Sequence, residues 1–229
     1  MYRRLSTGDP GRYIPDLARS LSNFAVRQRE LGDQDQALVA DSEAIELYRG
    51  LAESDPARYT PDLAMSLLNA STLLSHADRT AEAMGTIEEA IAYLRKLAES
   101  DPTHAGYQRD LSISHQRLGD LTVAAGDSVT AKKYYRTALA IAEGLAAADP
   151  TNTAWQRDLS ISHLKLGDLA VAAGDLGIAE QHYRTALAIA EGVAAADPTN
   201  TAWQRDLSIS HLKLGDLSLI HISEPTRPY

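Results

Sequence analysis

Histidines are the residues of this sequence with the clearest capacity for chemistry, because imidazole titrates near neutral pH and binds metal ions. Three of them, His115, His163 and His211, recur at an interval of 48 residues. A metal ion needs its ligands within about 2 Å, whereas equivalent positions on neighbouring packed helices lie about 10 Å apart. We therefore expect three half-buried histidines on separate helix faces, with no shared metal site and no cofactor.

Charged residues recur at the same interval and give the candidate binding surface. A basic residue is followed three positions later by an aspartate, so each pair lies on one face of a helix. Two interpretations are equally supported: rows of charge that bind a partner, or a solvated face with ion pairs inside each helix worth about 0.2–0.5 kcal/mol. The residues concerned are the basic Arg117, Lys165 and Lys213 and the acidic Asp120, Asp168 and Asp216.

No set of residues typical of an active site can be assembled from the sequence. The glycines occur mainly where helices are expected to turn, and none precedes the Lys-Ser/Thr pair of a phosphate-binding loop. His76, His104 and His182 have no partner at a catalytic spacing. Because catalysis needs titratable groups that converge in a pocket, we expect that the chain is not an enzyme.

Composition argues against several classes of partner. The formal net charge is −9, whereas a nucleic-acid-binding protein needs clustered Lys and Arg to neutralise phosphates. The sequence has no run of about 18 apolar residues that could span a membrane and no apolar secretory signal at its start. It also has no cysteine. We expect no contact with nucleic acid or membrane, and a cytoplasmic location.

An internal repeat supplies the elements that must position these residues. Asp-Pro pairs begin at Asp9, Asp55, Asp101, Asp149 and Asp197, and so mark segments of 46 to 48 residues. Residues 148–169 recur without change as 196–217. Such self-similarity is typical of stacked supersecondary units. The predicted units are 9–54, 55–100, 101–148, 149–196 and a partial unit at 197–217.

Each unit reads as helix, tight turn, helix. In 149–196, Pro150 ends the preceding helix because it has no amide hydrogen. Thr153 and Gln156 have the spacing of a capping box at the start of the first helix. Apolar residues that include Leu166 then follow at intervals of three and four, which predicts one buried face. The unit is therefore predicted to hold two antiparallel helices.

The spacing of small and aromatic residues within a unit resembles the tetratricopeptide repeat. The resemblance rests on a leucine–glycine pair in the first helix, a glycine at the turn, and a small–aromatic–small pattern in the second helix. One unit supplies Leu118-Gly119, Gly126, Ala131, Tyr135 and Ala138, and the next supplies Leu166-Gly167, Gly174, Ala179, Tyr183 and Ala186. Units in the first half lack the leucine–glycine pair and match less well.

The resemblance implies an all-α, right-handed helical-repeat solenoid of about four and a half antiparallel helix pairs, formed as a single domain by residues 1–217. First helices in such arrays line a concave groove that binds a peptide or a partner helix. The chain is thus expected to be a protein-interaction scaffold with its charged rows along that groove. A sensor or regulatory arm of a larger bacterial signalling ATPase or protease is the alternative, and an enzyme or an RNA-binding repeat is a more distant one.

A subclass of these repeats grips the terminal carboxylate of a peptide with lysine, asparagine and arginine side chains from three first helices. Asn69 and Arg117 occupy matching positions. Ser22, Val26 and Ile113 stand where lysine or asparagine would be needed. The sequence therefore does not predict that clamp, but it keeps Asn69 as a candidate groove residue.

Both ends of the sequence look interrupted. Residues 2–5 align with residues 48–51, the end of a second helix, so the chain is interpreted as a fragment that starts inside a repeat. The repeat breaks off after Leu217, and residues 217–229 resemble the translation of a sequencing adapter, which makes 218–229 a non-native tail by this interpretation. Solenoids normally carry polar caps, so we expect self-association through the uncapped ends.

Overall fold

The structure, a computed structural model, describes residues 10–223, and in that range it contains helices and no strand. The predicted all-α fold is confirmed. The chain divides into two compact units at Gly126–Asp127. The first contains α1 (Pro10–Glu30), α2 (Gln34–Ser54), α3 (Pro56–His76), α4 (Thr80–Ser100) and α5 (Ala105–Ala124), and the second contains α6 (Ser128–Ala148), α7 (Thr153–Ala172), α8 (Leu176–Ala196) and α9 (Thr201–Ser223).

Consecutive helices pack against each other within each compact unit. In the first, α1 packs on α2 and α3 packs on α4; in the second, α7 packs on α8. These pairs cover residues 10–54, 56–100 and 153–196, and tight turns join their helices. α9 continues helical to Ser223, through the first part of the predicted non-native tail, while residues 224–229 lie outside the described range.

A residue in the left-handed backbone region ends the first helix of a pair. Gly174 has a φ of 78° and follows the end of α7, where the amide of Asp175 donates to the carbonyl of Ala170 at 2.9 Å. Glycine adopts this conformation without the steric penalty of a Cβ atom. The predicted stop at Gly174 is confirmed. Between α3 and α4, where the turn glycine is missing, Asp78 takes the same role with a φ of 57°.

The cap at the start of α7 is Asn152, so the predicted capping box is wrong. The side chain of Asn152 accepts a hydrogen bond from the amide of Trp155 at 3.2 Å. Gln156 does not reach back to cap the helix, because its side-chain amide points to the carbonyl of Pro150 at 3.3 Å. Asparagine is a stronger helix cap than threonine, which explains why the helix begins at Thr153 with Asn152 before it.

The leucine–glycine pair has a direct packing role between α7 and α8. Gly167 faces the ring of Tyr183, and a Cβ atom on this glycine would lie 2.4 Å from Cε1 of the tyrosine. Tyr183 is buried together with Ala179 and Ala170 in one apolar cluster. The small residue in the first helix therefore makes room for the aromatic residue of the second, as the motif resemblance implies.

No helix in the part of the chain from 10 to 223 combines the length and the apolar character that crossing a bilayer requires.

Candidate functional site

The predicted charged residues all lie on first helices. On α5 both Arg117 and Asp120 are exposed. Lys165 and Asp168 on α7 and Lys213 on α9 are half-buried, whereas Asp216 on α9 is exposed. The uncharged candidate Asn69 lies on α3 and is also half-buried.

In the second compact unit, two of these residues and Tyr183 form a polar cluster around one carboxylate. Lys213 of α9 places its Nζ atom 2.7 Å from Oδ1 of Asp168 on α7. The hydroxyl of Tyr183 donates to the same oxygen at 2.6 Å. Burial, this hydrogen bond and the charges of Asp168 and Asp216 raise the pKa of Tyr183 above its usual range. The Lys213–Asp168 pair thus joins two first helices, which neither sequence interpretation foresaw.

A second bridge between α7 and α9 lies near their N-terminal ends. The guanidinium of Arg157 pairs with the carboxylate of Asp206, which accepts from two of its nitrogens. The sequence analysis missed both residues. An Arg-Asp dipeptide recurs at this place in three successive repeats, at 109–110, 157–158 and 205–206. That recurrence was the signal that could have revealed a link between neighbouring first helices.

The first compact unit shows a related contact between α3 and α5. Arg117 donates from Nη1 to the hydroxyl of Thr72 at 3.0 Å. Thr72 precedes Asp120 by one repeat interval of 48 residues, so it holds on α3 the position that the aspartates hold on later first helices. Partial burial and the positive charge of Arg29 lower the pKa of Arg117. Arg29 is a further basic residue near this site that the sequence analysis did not identify.

A shallow cavity of about 180 Å³ opens beside this contact, between α3 and α5. Arg117 and Asp120 line it together with Thr72 and His76, so both signs of charge and several hydrogen-bonding groups border the cavity. Asn69 lies three residues before Thr72 and is not among the residues that line the cavity. The structure therefore brings two of the predicted site residues together here and places the third beside them.

The repeated histidines do not share one environment. His163 is half-buried as expected, but His115 is buried and His211 is exposed, because the same position meets different neighbours in each pair. His163 and His182 bring their Nδ1 atoms to 3.0 Å, so one ring must donate and the other accept. Burial, followed by the charge of His182, lowers the pKa of His163 to about 4. Among the described residues, no group of three or more His, Asp or Glu side chains could hold a metal ion.

Asp41 on α2 is a buried carboxyl group that the sequence analysis overlooked. Asp41 is 1% exposed, and no described residue forms a hydrogen bond with its Oδ1 atom. Burial raises its pKa to about 7, against the opposing charge of Arg29. Asp41 follows Ala37 by four residues, as Tyr135 follows Ala131 and Tyr183 follows Ala179. Comparison of the repeats would thus have shown an acid where two other units have an aromatic residue.

Sequence and structure comparisons agree on the type of repeat. The family model described as Tetratricopeptide repeat matches residues 76–104, a stretch that contains α4. This match falls in the first half of the sequence, where the leucine–glycine pair of the motif is missing. No curated protein matches the sequence.

Two solved structures show the same fold at low sequence identity. BtubC (BKLC) from P. vanneervenii superposes with a TM-score of 0.61 at 16% identity, over 100% of this chain and 89% of that chain. A putative kinesin light chain of Podosopora anserina, with nearly identical TPR-like repeats, gives a TM-score of 0.51 at 18% identity, over 86% of this chain and 87% of that one. The chain therefore has the all-α fold of tetratricopeptide-repeat proteins, and residues 76–104 carry a repeat of that family.

Proposed function

We propose that the chain is a protein-interaction scaffold that holds a peptide or a partner helix on its first helices. Each compact unit carries its own part of the surface concerned, called here the first-helix face: Thr72, Arg117 and Asp120 in the first unit, and Lys165, Asp168, Lys213 and Asp216 in the second. It is the surface that the resemblance identifies with the groove of such arrays.

The observation that carries the proposal is the contact between neighbouring first helices through charged side chains at the predicted positions. Arg117 reaches Thr72 on the preceding first helix of its unit, and Lys213 reaches Asp168 in the same way. A guanidinium has five N–H donors, and the cavity beside Arg117 leaves space for a carbonyl or carboxylate of a bound chain. Repetition of the contact provides the polar groups that an extended or helical peptide backbone requires.

The energetics of the ion pair favour exchange with a partner. Side chains of Lys213 and Asp168 are 38% and 43% exposed. Ion pairs with this degree of exposure contribute about 0–1 kcal/mol to stability, so a ligand carboxylate could replace Asp168 at low cost. The mixed charge also suits a peptide better than a polyanion such as RNA, which the net charge of −9 would repel.

Charge reversal on first helices tests the proposal. A peptide array is probed with labelled wild-type chain and with Arg117→Glu, Lys165→Glu and Lys213→Glu, and Lys133→Glu serves as the control because it makes the same charge change on α6. We expect the array to contain peptides that bind the wild-type chain and lose about tenfold or more of their signal in the first-helix variants, because a charged contact has been removed. The same peptides should keep their signal in the control. The proposal would be contradicted if no peptide lost its array signal in any of the first-helix variants, or if the chain bound RNA in a salt-dependent way.

A further inference from the structure

An apolar pocket of about 270 Å³ lies in the second compact unit, between α6, α7 and α8. Its floor contains the buried Leu166 and Leu169. Its rim carries Val129 and Ile178, which are 73% and 45% exposed although both are large apolar residues. Exposed apolar side chains around an apolar floor are typical of a surface that binds a partner.

The charges around this pocket are all of one sign. Lys132 and Arg136 line it from successive turns of α6, and His182 lines it from α8. None of the described residues that line the pocket is acidic. Neither Lys132 nor Arg136 forms an ion pair within the described part of the chain. In a chain with a net charge of −9, this is a local excess of positive charge next to an apolar cavity.

We infer that this pocket, lined by Val129, Lys132, Arg136, Leu169, Ile178 and His182, is a second binding site, and that its ligand is an acidic peptide segment with a large apolar side chain. The apolar side chain enters between Val129 and Ile178, and a neighbouring carboxylate lies against Lys132 and Arg136. Pockets for whole small molecules usually measure about 300–1,000 Å³. A volume near 270 Å³ therefore suits one bulky side chain of a peptide better than a complete cofactor.

The site is independent of the first-helix face. Its charged residues come from α6 and α8, which are second helices, whereas Arg117, Asp168 and Lys213 lie on first helices. Burial lowers the pKa of His182, and the nearby positive charges of Arg136 and Lys132 lower it further. A bound carboxylate would oppose that repulsion, so the histidine reports on occupancy.

The first compact unit has a larger cavity, of about 510 Å³, whose charges differ from those of this pocket. It lies between α2, α3 and α4, and Arg49 and Glu53 both line it. The guanidinium of Arg49 already pairs with Glu89 at 2.8 Å. Lys96 also lines this cavity, so its charges are of both signs, unlike those of the pocket at Lys132 and Arg136.

Binding of a defined peptide tests the inference. The probe is a short fluorescein-labelled peptide in which leucine and glutamate alternate, and the matched probe has glutamine in place of glutamate. Fluorescence anisotropy should show that the acidic probe binds. Binding should weaken by about tenfold or more when glutamine replaces glutamate in the probe, and also when Lys132→Glu and Arg136→Glu are introduced together in the protein. Lys133→Glu, a charge change on α6 at a residue that does not line the pocket, should leave the affinity unchanged.

A second variant tests the apolar part of the pocket without a change of charge. Ala173 lines the pocket and is exposed, so Ala173→Trp should fill the space without disturbing the buried core. This substitution should weaken binding of the acidic probe by a similar factor. Thermal unfolding followed by circular dichroism verifies that each variant is folded. No binding of the acidic probe, equal binding of the glutamine probe, or loss only in Lys213→Glu would overturn the inference, and the last of these results would leave the first-helix proposal standing.

Discussion

Replacement of Leu166 with alanine is expected to lower the free energy of unfolding by about 2–5 kcal/mol, the usual cost of removing a buried leucine side chain. Leu166 is 5% exposed and packs with Ala131, Tyr135 and Leu169 in one core cluster between α6 and α7. The cost combines lost apolar burial with the cavity that the missing atoms leave behind. Urea unfolding followed by circular dichroism measures the difference.

Leu212 provides the matched control for this experiment. It lies on α9 and is 65% exposed, so Leu212→Ala removes the same atoms without creating a buried cavity. We expect a change within about 0.5 kcal/mol, as for most surface substitutions. Equal losses in Leu166→Ala and Leu212→Ala would mean that the buried face of α7 has been assigned incorrectly.

Asp41→Asn is expected to stabilise the protein at pH 8, by up to about 4 kcal/mol. Burial raises the pKa of Asp41 from 3.8 to about 7, and each unit of such a shift corresponds to about 1.4 kcal/mol. The folded state therefore holds a proton that the unfolded state releases. Stability from this group is fully present below about pH 4 and is lost as the pH rises towards 7. An asparagine amide stays neutral throughout and avoids that loss.

The pH profile distinguishes this effect from a general change in packing. Unfolding free energies of wild type and Asp41→Asn should agree near pH 4 and diverge progressively up to pH 8. Asp35→Asn, on the same helix at an exposed position, makes the same charge change and should follow the wild type closely. A constant difference between Asp41→Asn and wild type from pH 4 to pH 8 would show that the Asp41 carboxyl does not titrate as described.

Much of the fold could be predicted from the sequence, because the turn and the buried helix positions follow from local residue types and their spacing. The turn at Gly174 is confirmed by its left-handed backbone, and the buried positions Ala179, Tyr183 and Ala186 are confirmed on α8. The helix pairs at 10–54, 56–100 and 153–196 each begin at or just after an Asp-Pro pair. These features depend on neighbours within about one helical turn, so spacing alone reveals them.

The candidate site was less predictable, since periodicity does not define which neighbouring helix a side chain reaches. Lys213 and Asp168 are 45 residues apart in sequence, and only the packed structure brings them to 2.7 Å. The contact between His163 and His182 depends in the same way on how α7 and α8 are rotated against each other. Asp41 is a different case, because it stands at a position where the repeats differ and so belongs to no recurring pattern of residues.

The contact between Gly167 of the first helix and Tyr183 of the second is central to the packing of α7 against α8. A comparison of Gly167→Ala with Gly215→Ala measures that contact directly, because the two glycines hold the same motif position. A Cβ atom at Gly167 would lie 2.4 Å from Cε1 of Tyr183, whereas no atom of another described residue lies within 4 Å of one at Gly215. Urea unfolding should show a loss of about 1–3 kcal/mol for Gly167→Ala through overpacking, and a gain of about 0.5–1 kcal/mol for Gly215→Ala through helix propensity. An equal gain in both variants would contradict the packing of α7 against α8.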